Sequence, residues 1–272
     1  MVDAGSDGVS RAAATLIALG SEEALQAGGL GVVRIATLTG GDKGQVSRLL
    51  RTLAERGLVE RDQESLGYRL GWQLFALASK AGDQRLLRMA RPLLTQLSKE
   101  LAERVNLSVL RDTEVLTVFS APSPRAVQAT GWVGRKVPAY CTSSGRALLL
   151  DHQKAELVKQ FTDVVFHPLG PNSPRDVDQL YKRVAAARAR DYAVVDEEFE
   201  PGLVAAAAPV RDVNGRICGA VNVSLPKFRL GGSRRLAVLG RAVKDTADEL
   251  SRRLGESHQP PHGQLGSAGE RP

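Results

Sequence analysis

The sequence predicts an α+β protein with two domains, and three observations support that prediction. The chain has 272 residues, which is enough for two domains of ordinary size. Its first part combines short amphipathic helix patterns with a tight hairpin pattern. The later part alternates strand and helix patterns and ends in an antiparallel hairpin, which is typical of helices packed on a sheet. We expect one domain over 10–71, a linker helix over 72–83 and a second domain over 84–254.

The first domain is expected to start with three short helices. Ser10 can cap a helix that runs to about Leu19, because a serine hydroxyl accepts a hydrogen bond from a free N–H of the first turn. One turn of helix is expected at 22–27 and an apolar helix at 32–38. Residues 39–42, which include two glycines, then form a tight turn. A short helix followed by such a turn is typical of the first half of a helix-turn-helix.

The helix after that turn carries an apolar stripe and a basic face. The stripe has the i, i+3, i+4, i+7 spacing of an amphipathic helix and consists of Val46, Leu49, Leu50 and Leu53. The polar face consists of Lys43, Gln45, Ser47, Arg48 and Arg51. The second helix of a helix-turn-helix enters the major groove of DNA. We therefore expect the first four of these polar residues to reach base edges or nearby phosphates, and Arg51 to contact phosphate.

A hairpin pattern follows this helix and predicts the wing of a winged helix. Residues 58–61 alternate as a strand, 62–67 form a polar turn, and 68–70 return as a second strand. Within this wing, Arg61 and Arg69 are expected to contact the DNA backbone or the minor groove. Such contacts position a protein on DNA, whereas contacts to base edges specify the sequence.

The overall charge does not decide whether the chain binds nucleic acid. The net charge is +7, but residues 1–81 hold nine Lys and Arg and nine Asp and Glu. The positive excess therefore lies outside the predicted DNA-binding domain. Local placement matters more than net charge, and four basic side chains fall within 14 residues, at Lys43, Arg48, Arg51 and Arg56. The prediction of DNA binding thus depends on the motif.

The linker helix expected at 72–83 is apolar on nearly every side. Its large apolar side chains are Trp72, Phe75 and Leu77. A helix with so much apolar surface in a small domain needs a partner. We expect these side chains to lie in a dimer contact or in a core.

The second domain is expected to begin with a long helix at 85–103. Pro92 lies within it and should either kink the helix or mark a new start. Strands at 106–111 and 115–120 flank a polar turn and predict a hairpin. A later helix that runs to about Arg190 is expected to start at Ser173 and Pro174, since serine is a good cap and proline fits the first helical position.

The remaining elements of the second domain follow from similar patterns. We expect short extended pieces within 127–139, helices at 143–150, 153–161 and 233–254, and strands at 192–196, 204–212 and 216–224. Asn214-Gly215 between the last two strands is a strong hairpin signal. The tail at 255–272 is low in apolar residues and is expected to be disordered.

Three stretches of the chain resemble the isocitrate-lyase-regulator (IclR) family of bacterial transcription factors. They are TGGDKGQVSRLLRTLAERGLVERD…GYRLG at 39–71, GRKVPAYCTSSGRALL at 134–149 and RDYAVVDEEFEPGLVAAAAPVRDVNGRICGAVNVSLP at 190–226. One such match would be weak, but three in order at the family's spacing are specific. The resemblance implies a winged helix-turn-helix, a linker helix and a C-terminal GAF-like domain that binds a small effector. It also implies homodimers through the winged-helix and linker region, often paired into tetramers.

The resemblance also implies which residues line the effector site. In the family, a small-residue loop before a helix and the closing hairpin line it, which here gives Tyr140, Cys141, Thr142, Ser143, Val195, Ala205, Asn222 and Ser224. Val195 and Ala205 stand where members that bind small carboxylates can carry Asp and Cys. Apolar side chains there remove polar partners, so we expect a larger or more apolar effector, such as an aromatic or larger organic acid, or an effector held in a different orientation.

Two positions depart from the family pattern at helix starts in the first domain. Gly31 and Gly44 stand where the family usually has a capping residue. Because glycine offers no side-chain acceptor, we expect each helix start to be weakened by about 0.5–1 kcal/mol.

Other groups of reactive residues have simpler interpretations than a catalytic or metal site. The acidic residues of 196–200 have no His or Cys nearby in sequence, which favours a solvated turn or hinge. A redox switch is one interpretation of Cys141 and Cys218, but two small buried residues are the simpler one. His152 and His167 are isolated in sequence and are expected at the surface.

The sequence therefore predicts a transcriptional regulator that binds a double-stranded DNA operator with an affinity modulated by a small-molecule effector. Two alternatives remain, a DNA-binding protein whose second domain only oligomerises and an enzyme. No Ser-His-Asp order, glycine-rich phosphate loop or metal-ligand spacing supports an enzyme, and no cofactor is expected. No apolar run approaches 18 residues and no signal-peptide pattern is present, so we expect a cytoplasmic protein without a membrane segment.

Overall fold

The computed structural model describes residues 4–78, 83–124 and 133–256 of the chain. The chain divides near Gln84 into two compact units, an N-terminal unit and a C-terminal unit. Within the described ranges, no helix is both long enough and apolar enough to cross a membrane.

The N-terminal unit is a winged helix. Its helices are α1 (Ala4–Leu19), α2 (Glu22–Gln26), α3 (Val32–Thr39), α4 (Lys43–Glu55) and α5 (Trp72–Ala78). Its strands are β1 (Val59–Arg61) and β2 (Tyr68–Leu70), which pair antiparallel with Glu60 opposite Arg69. The predicted order of helix, turn, helix and hairpin is confirmed.

A small apolar core holds this unit together. Val46, Leu50 and Leu53 of α4 are buried, as the helical spacing predicted. They share a cluster with Ile35 of α3 and Val59 of β1. The amphipathic stripe of α4 therefore faces inward, and its polar face is left for solvent or a partner.

The helix starts of this unit differ from the sequence prediction at two places. Helix α1 begins at Ala4, earlier than the expected cap at Ser10. Gly44 is not a cap, because Asp42 caps α4 and its Oδ1 accepts from the N–H groups of Gly44 at 2.8 Å and Gln45 at 3.1 Å. Gly31 does occupy the cap position of α3, without a side-chain hydrogen bond. The weakening expected at Gly44 was therefore wrong, since a carboxylate already fills that role.

The C-terminal unit is built on a six-stranded antiparallel sheet. Its strands are β3 (Arg104–Arg111), β4 (Glu114–Ala121), β5 (Lys136–Pro138), β6 (Ala193–Asp196), β7 (Leu203–Arg211) and β8 (Ile217–Pro226). Their order across the sheet is β5-β4-β3-β8-β7-β6. The turn between β7 and β8 contains Asn214-Gly215, and Gly215 has a φ of 77°, as this pair predicts.

Helices cover both faces of this sheet. They are α6 (Gln84–Leu101), α7 (Ser143–Leu148), α8 (Lys154–Gln160), α9 (Val177–Arg188) and α10 (Ser233–Glu256). Helices α6 and α10 pack on the face that carries Val105 and Val223. Helices α7, α8 and α9 pack on the opposite face, which carries Ala207 and Ala220. The alternation of side chains along each strand separates these two cores.

The start of α9 corrects the prediction made for Ser173. Helix α9 begins after Asp176, whose Oδ1 accepts from the N–H of Gln179 at 2.7 Å. Ser173 is buried instead. Its hydroxyl accepts from the N–H of Gly170 at 2.9 Å and donates to the carbonyl oxygen of Glu198. An acid three residues further on therefore replaces the serine as the cap.

Three further predictions have separate outcomes. Pro92 lies inside the single helix α6 and does not end or restart it. The extended piece expected at 127–132 lies outside the described residues, and so does the tail beyond Glu256. Residues 255–256, which were expected to begin the tail, form the end of α10.

Candidate functional site

The outer face of α4 presents most of the side chains expected to read DNA. Lys43, Gln45, Arg48 and Arg51 are exposed, whereas Ser47 is half-buried. These residues lie on the second helix of the helix-turn-helix, the one that meets the major groove in proteins of this type. The face therefore offers amide and guanidinium groups, which pair well with base edges and phosphates.

One of these side chains is held by a residue that the sequence did not predict. Arg11 of α1 donates a hydrogen bond from Nη1 to Oε1 of Gln45. This contact uses the acceptor of the Gln45 amide and leaves its NH₂ group to donate elsewhere. Nothing in the sequence pattern joins two residues so far apart in the chain.

The wing holds its two predicted arginines with its own residues. Arg69 pairs with Glu60 on the facing strand, with 3.2 Å between Nη2 and Oε2. The guanidinium carbon of Arg61 lies 5.6 Å from the ring centre of Tyr68. At the tip, the N–H and hydroxyl of Ser65 donate to Asp62, which holds the pKa of this carboxyl below its usual range. Both arginines of the wing therefore have partners within the wing in the absence of DNA.

Helix α5 exposes large apolar side chains. Trp72 is 74% exposed and Phe75 is 68% exposed. Their rings meet edge to face with centroids 5.9 Å apart. Leu77 is also exposed. Among the described residues, these three side chains therefore do not lie in a core.

A cleft in the C-terminal unit contains most of the predicted effector residues. It encloses about 530 Å³ of empty space, its open mouth included. Thr142, Ser143, Val195, Ala205, Asn222 and Ser224 line it. These six come from the loop before α7, from the start of α7 and from three strands. None of the described lining residues carries a charge.

The two other predicted effector residues do not line this cavity. Tyr140 donates its hydroxyl to the carbonyl of His167 at 3.0 Å and packs against Phe166 with ring centroids 4.6 Å apart. Cys141 is fully buried, and its Sγ lies 3.8 Å from the carbonyl of Pro138. Burial, and then the charge of nearby Glu198, raises the pKa of the Cys141 thiol to about 12. Both residues therefore build the wall behind the cavity.

Eight further residues line the cavity and were not predicted from the sequence. They are Asn106, Ser108, Val115, Thr117, Val137, Ser144, Phe199 and Leu203. Most of them lie on β3, β4 and β5, which the resemblance did not assign to the site. The alternating pattern of 106–111 was a usable signal, because it places two polar side chains on one face of a strand.

A buried ion cluster lies beside the cavity and corrects the reading of the acidic run. Glu198 is only 6% exposed and is not a solvated residue. It pairs with Nη2 of Arg146, which is 3% exposed, and its Oε2 lies 2.7 Å from Nη1 of Arg183. Arg146 also donates to the carbonyl of Val194 at 2.8 Å. The segment between β6 and β7, which includes the cavity residue Phe199, is thereby tied to α7 and α9.

The remaining reactive residues form no further site. Cys141 and Cys218 are free thiols. His167 is exposed and His152 is half-buried. In the part of the chain that the structure describes, no group of three His, Cys, Asp or Glu side chains is arranged to hold a metal ion.

Two family patterns match the chain in the order in which its units occur. The IclR helix-turn-helix domain matches residues 8–63. The bacterial transcriptional regulator IclR C-terminal domain matches residues 79–252, which is more than half of the chain. The chain belongs to the IclR family. It is a DNA-binding transcriptional regulator with a C-terminal effector-binding domain.

Individual relatives agree with this membership. The HTH-type transcriptional regulator BhcR of Paracoccus denitrificans is 30% identical over 76% of this chain and 74% of its own length. The repressor YiaJ of Escherichia coli is 27% identical over 84% of this chain and 82% of its own length. These relatives of the chain are transcriptional regulators, which argues against an enzyme.

Solved structures show the same fold. A transcriptional regulator from Rhodococcus sp. RHA1 superposes with a TM-score of 0.73 at 25% identity, covering 92% of this chain and 99% of that one. An IclR homologue from Microbacterium hydrocarbonoxydans, solved with 4-hydroxybenzoate, gives a TM-score of 0.71 at 20% identity and covers 90% of this chain and 99% of its own. The second match shows the fold of this IclR-family chain and not its ligand.

Proposed function

We propose that α4 of this regulator lies in the major groove of its operator and that the wing contacts the flanking backbone. In this arrangement Gln45 and Arg48 contact base edges, and Lys43, Ser47 and Arg51 contact nearby bases or phosphates. Arg61 and Arg69 exchange their contacts within the wing for contacts with phosphate or the minor groove. The observation that carries this proposal is the exposed polar face on the second helix of the motif.

We also propose that the protein binds DNA as a homodimer, which can pair into a tetramer. Trp72 and Phe75 expose two rings that touch on α5, and Leu77 exposes a further apolar side chain. Exposed apolar patches of this kind mark interaction surfaces, and a twofold dimer presents two recognition helices to two half-sites. Helix α5 directly follows the wing in sequence, so it is suited to carry a signal to the DNA-binding unit.

The cavity of the C-terminal unit is the proposed effector site. Its apolar lining residues, which include Val115, Phe199 and Leu203, suit an organic acid with a larger apolar part than glyoxylate, including an aromatic acid. Val195 and Ala205 add to the apolar part of the wall. An effector regulates only if it binds the DNA-competent and DNA-incompetent arrangements unequally. We propose that it does so by biasing the linker region at 72–83.

Repression in the cytoplasm is the proposed mode of action. YiaJ of Escherichia coli and AllR of Salmonella typhimurium are named repressors, at 27% identity to this chain. A repressor must reach chromosomal DNA, which lies in the cytoplasm of a bacterium. A reporter gene under the bound promoter should therefore become more active when the regulator is deleted.

Footprinting on the DNA next to the regulator's own gene tests the DNA proposal. We expect two protected half-sites whose centres lie about 10 or 20 base pairs apart, one or two helical turns. Binding without sequence preference and with a steep dependence on salt would reduce the proposal to non-specific attraction. Sedimentation of the same complex gives its stoichiometry and distinguishes a dimer from a tetramer.

A filled cavity tests the effector proposal. Ala205→Phe adds a ring to the cavity wall, so this variant should bind DNA like the wild type but lose its response to effector. Val165→Phe is the control, because Val165 is exposed and does not line the cavity. A thermal-shift screen of aromatic acids against glyoxylate supplies the effector. Selective stabilisation by glyoxylate would contradict the expectation of a larger effector. If no acid changes the affinity for DNA, a second domain that only oligomerises is favoured.

A further inference from the structure

The polar side chains of the cavity form a band across the middle of the sheet. Asn106 on β3 lies directly opposite Asn222 on β8. Ser108 on β3 lies directly opposite Thr117 on β4. Directly opposed residues on antiparallel strands have Cβ atoms about 4.5–5.5 Å apart. The two amides are therefore neighbours on the cavity face of the sheet, and so are the two hydroxyls.

Apolar pairs flank this band on both sides. Val115 on β4 lies opposite Val137 on β5, and Val195 on β6 lies opposite Ala205 on β7. Because the strand order is β5-β4-β3-β8-β7-β6, these pairs stand at the two edges of the sheet. The cavity thus offers an uncharged polar centre between two apolar ends.

The centre of the band holds an amide that the protein does not satisfy. Asn106 is 3% exposed, and its Oδ1 has no hydrogen-bond partner among the described residues. The side chains of Ser108, Thr117 and Asn222 likewise make no hydrogen bond within the described part of the chain. Thr142 differs, since its hydroxyl donates to the carbonyl of Pro138 at 3.1 Å.

An unpaired buried acceptor limits what can occupy the cavity. A buried amide oxygen without a donor is unfavourable, and native proteins rarely keep one unless a ligand or water supplies the donor. A carboxylate only accepts hydrogen bonds, so it leaves Oδ1 of Asn106 unpaired in the orientation that the structure shows. A hydroxyl group both donates and accepts hydrogen bonds. It can therefore donate to the oxygen of one amide and accept from the NH₂ group of another.

We propose that the effector is a hydroxylated organic molecule, whose hydroxyl group donates to Oδ1 of Asn106 and accepts from the amide NH₂ of Asn222. Its apolar parts lie against the flanking pairs of Val115 and Val195. Ser108 and Thr117 contact a second hydroxyl where the molecule has one. This inference rests on the proposed function, in which the cavity is the effector site.

Matched ligands that differ only in their hydroxyl groups test the inference on the full-length protein. The pairs are benzoate and 3,4-dihydroxybenzoate, cyclohexanecarboxylate and quinate, and adipate and galactarate. In at least one pair, the hydroxylated member should bind about ten- to a hundredfold more tightly, by calorimetry. Equal binding within every pair, or no binding by any hydroxylated member, would overturn the inference.

A methyl ether separates donation from acceptance. The ether oxygens of 3,4-dimethoxybenzoate can accept hydrogen bonds but cannot donate one to Asn106. This compound should therefore bind as weakly as benzoate, provided that 3,4-dihydroxybenzoate binds. If it binds as well as the diol, donation to Oδ1 of Asn106 is not what selects the ligand. If a different ligand pair shows the preference for hydroxyl groups, the methyl ether of its hydroxylated member is used in place of 3,4-dimethoxybenzoate.

Asn106→Leu tests the residue itself. Leucine has a similar size and no polar atom, so the ligand-free variant should melt at the same temperature as the wild type or higher. The preference for hydroxylated ligands should fall to near onefold. A lower melting temperature together with an unchanged preference would show that Asn106 is a structural residue. If this variant does not fold, Asn106→Ala, which also lacks a polar side-chain atom, should show the same loss of preference.

Two further variants serve as controls. Thr15→Val removes another buried hydroxyl that lacks a partner, but in the N-terminal unit, and should leave the ligand preference unchanged. Ala205→Phe fills the cavity and should abolish binding of every member of the panel. If Ala205→Phe binds ligand normally, the cavity is not the effector site and the proposed function fails. If it abolishes binding while paired ligands bind the wild type equally, only the hydroxyl inference fails.

Discussion

The two units treat their functional polar residues in opposite ways. On the DNA-binding face, Gln45, Arg48 and Arg69 are exposed, and two of them already have partners within the protein. In the cavity, Asn106 and Ser108 are buried, and Oδ1 of Asn106 has no partner among the described residues. One site is therefore hydrated and satisfied without its ligand, and the other has polar atoms that need one.

This difference affects how each site should respond to mutation. An exposed arginine contributes little to the folded state when DNA is absent. Replacing it therefore changes the affinity for DNA and leaves the free energy of unfolding nearly unaffected. Replacing a buried polar or charged group affects both ligand binding and the free energy of unfolding, because its partner is left unpaired in the folded state. Mutations in the C-terminal unit should thus show their effect in unfolding experiments, and those on α4 in DNA titrations.

The largest effect is expected from the ion cluster beside the cavity. Glu198→Gln leaves the buried guanidinium of Arg146 without its counter-charge. Breaking a buried pair in this way typically costs about 3–5 kcal/mol, so the melting temperature of the full-length protein should fall by several degrees or more. Glu249→Gln is the control, since its partners Arg252 and Arg253 are on the surface, and it should change little. Equal melting of both variants would mean that the cluster does not stabilise the unit.

DNA affinity should give the next largest effect. Arg48→Ala removes an exposed guanidinium from α4 and should weaken operator binding by about ten- to a hundredfold, with reduced sequence preference. Arg34→Ala is a matched control, because Arg34 is an exposed arginine of the same unit that pairs with Glu23 at 2.7 Å. Electrophoretic shifts with specific and scrambled DNA measure both. If the two variants lose affinity equally on both DNAs, α4 does not read the sequence.

The DNA-binding unit was largely predictable because its signals are local. The spacing of Val46, Leu50 and Leu53 determines which side of α4 is buried, and the exposed face follows from the same period. The wing follows from two short alternating segments around a polar turn. What the sequence did not reveal was Arg11 on Gln45, since no local pattern links residues of two separate helices.

The cavity was only partly predictable because it joins distant segments. The family pattern located β7, β8 and the loop before α7, but the opposition of Asn106 and Asn222 depends on which strands become neighbours. Glu198 was misread for the same reason. An acidic run looks solvated until Arg146 and Arg183 are brought to it by the fold. Burial and pairing are properties of the assembled sheet and its helices, and a single sequence contains no direct sign of them.

A smaller effect is expected at the start of α4. Asp42→Ala removes the acceptor for the N–H groups of Gly44 and Gln45, which should destabilise the N-terminal unit by about 1 kcal/mol. Asp42→Asn keeps an acceptor and should retain most of the stability. Gly31→Ser offers the reverse test, since α3 lacks a side-chain cap. Melting curves followed by circular dichroism measure all three, and an unchanged Asp42→Ala curve would contradict the capping role.

The smallest effects are expected at Cys141. This residue tests whether a side chain that is buried outside the cavity lining affects the effector. Burial raises the pKa of this thiol to about 12, so at pH 8 its thiolate fraction is about a thousandfold below that of a thiol with a pKa near 9. Alkylation of the native protein, followed by mass spectrometry, should therefore modify Cys141 far more slowly than in denaturant. Rapid native modification that effector blocks would instead return Cys141 to the effector site.

The pH dependence of stability gives a second measure of the same thiol. Because its folded pKa is raised, the stabilisation from the neutral thiol is complete below the ordinary thiol pKa of about 9 and is lost as pH rises towards 12. The melting-temperature difference between wild type and Cys141→Ala should therefore shrink between about pH 8 and 10. Effector affinity at pH 7 should stay within about twofold of the wild type, since the Cys141 side chain does not line the cavity. A constant difference across this pH range would mean that the thiol ionises equally in the folded and unfolded chain.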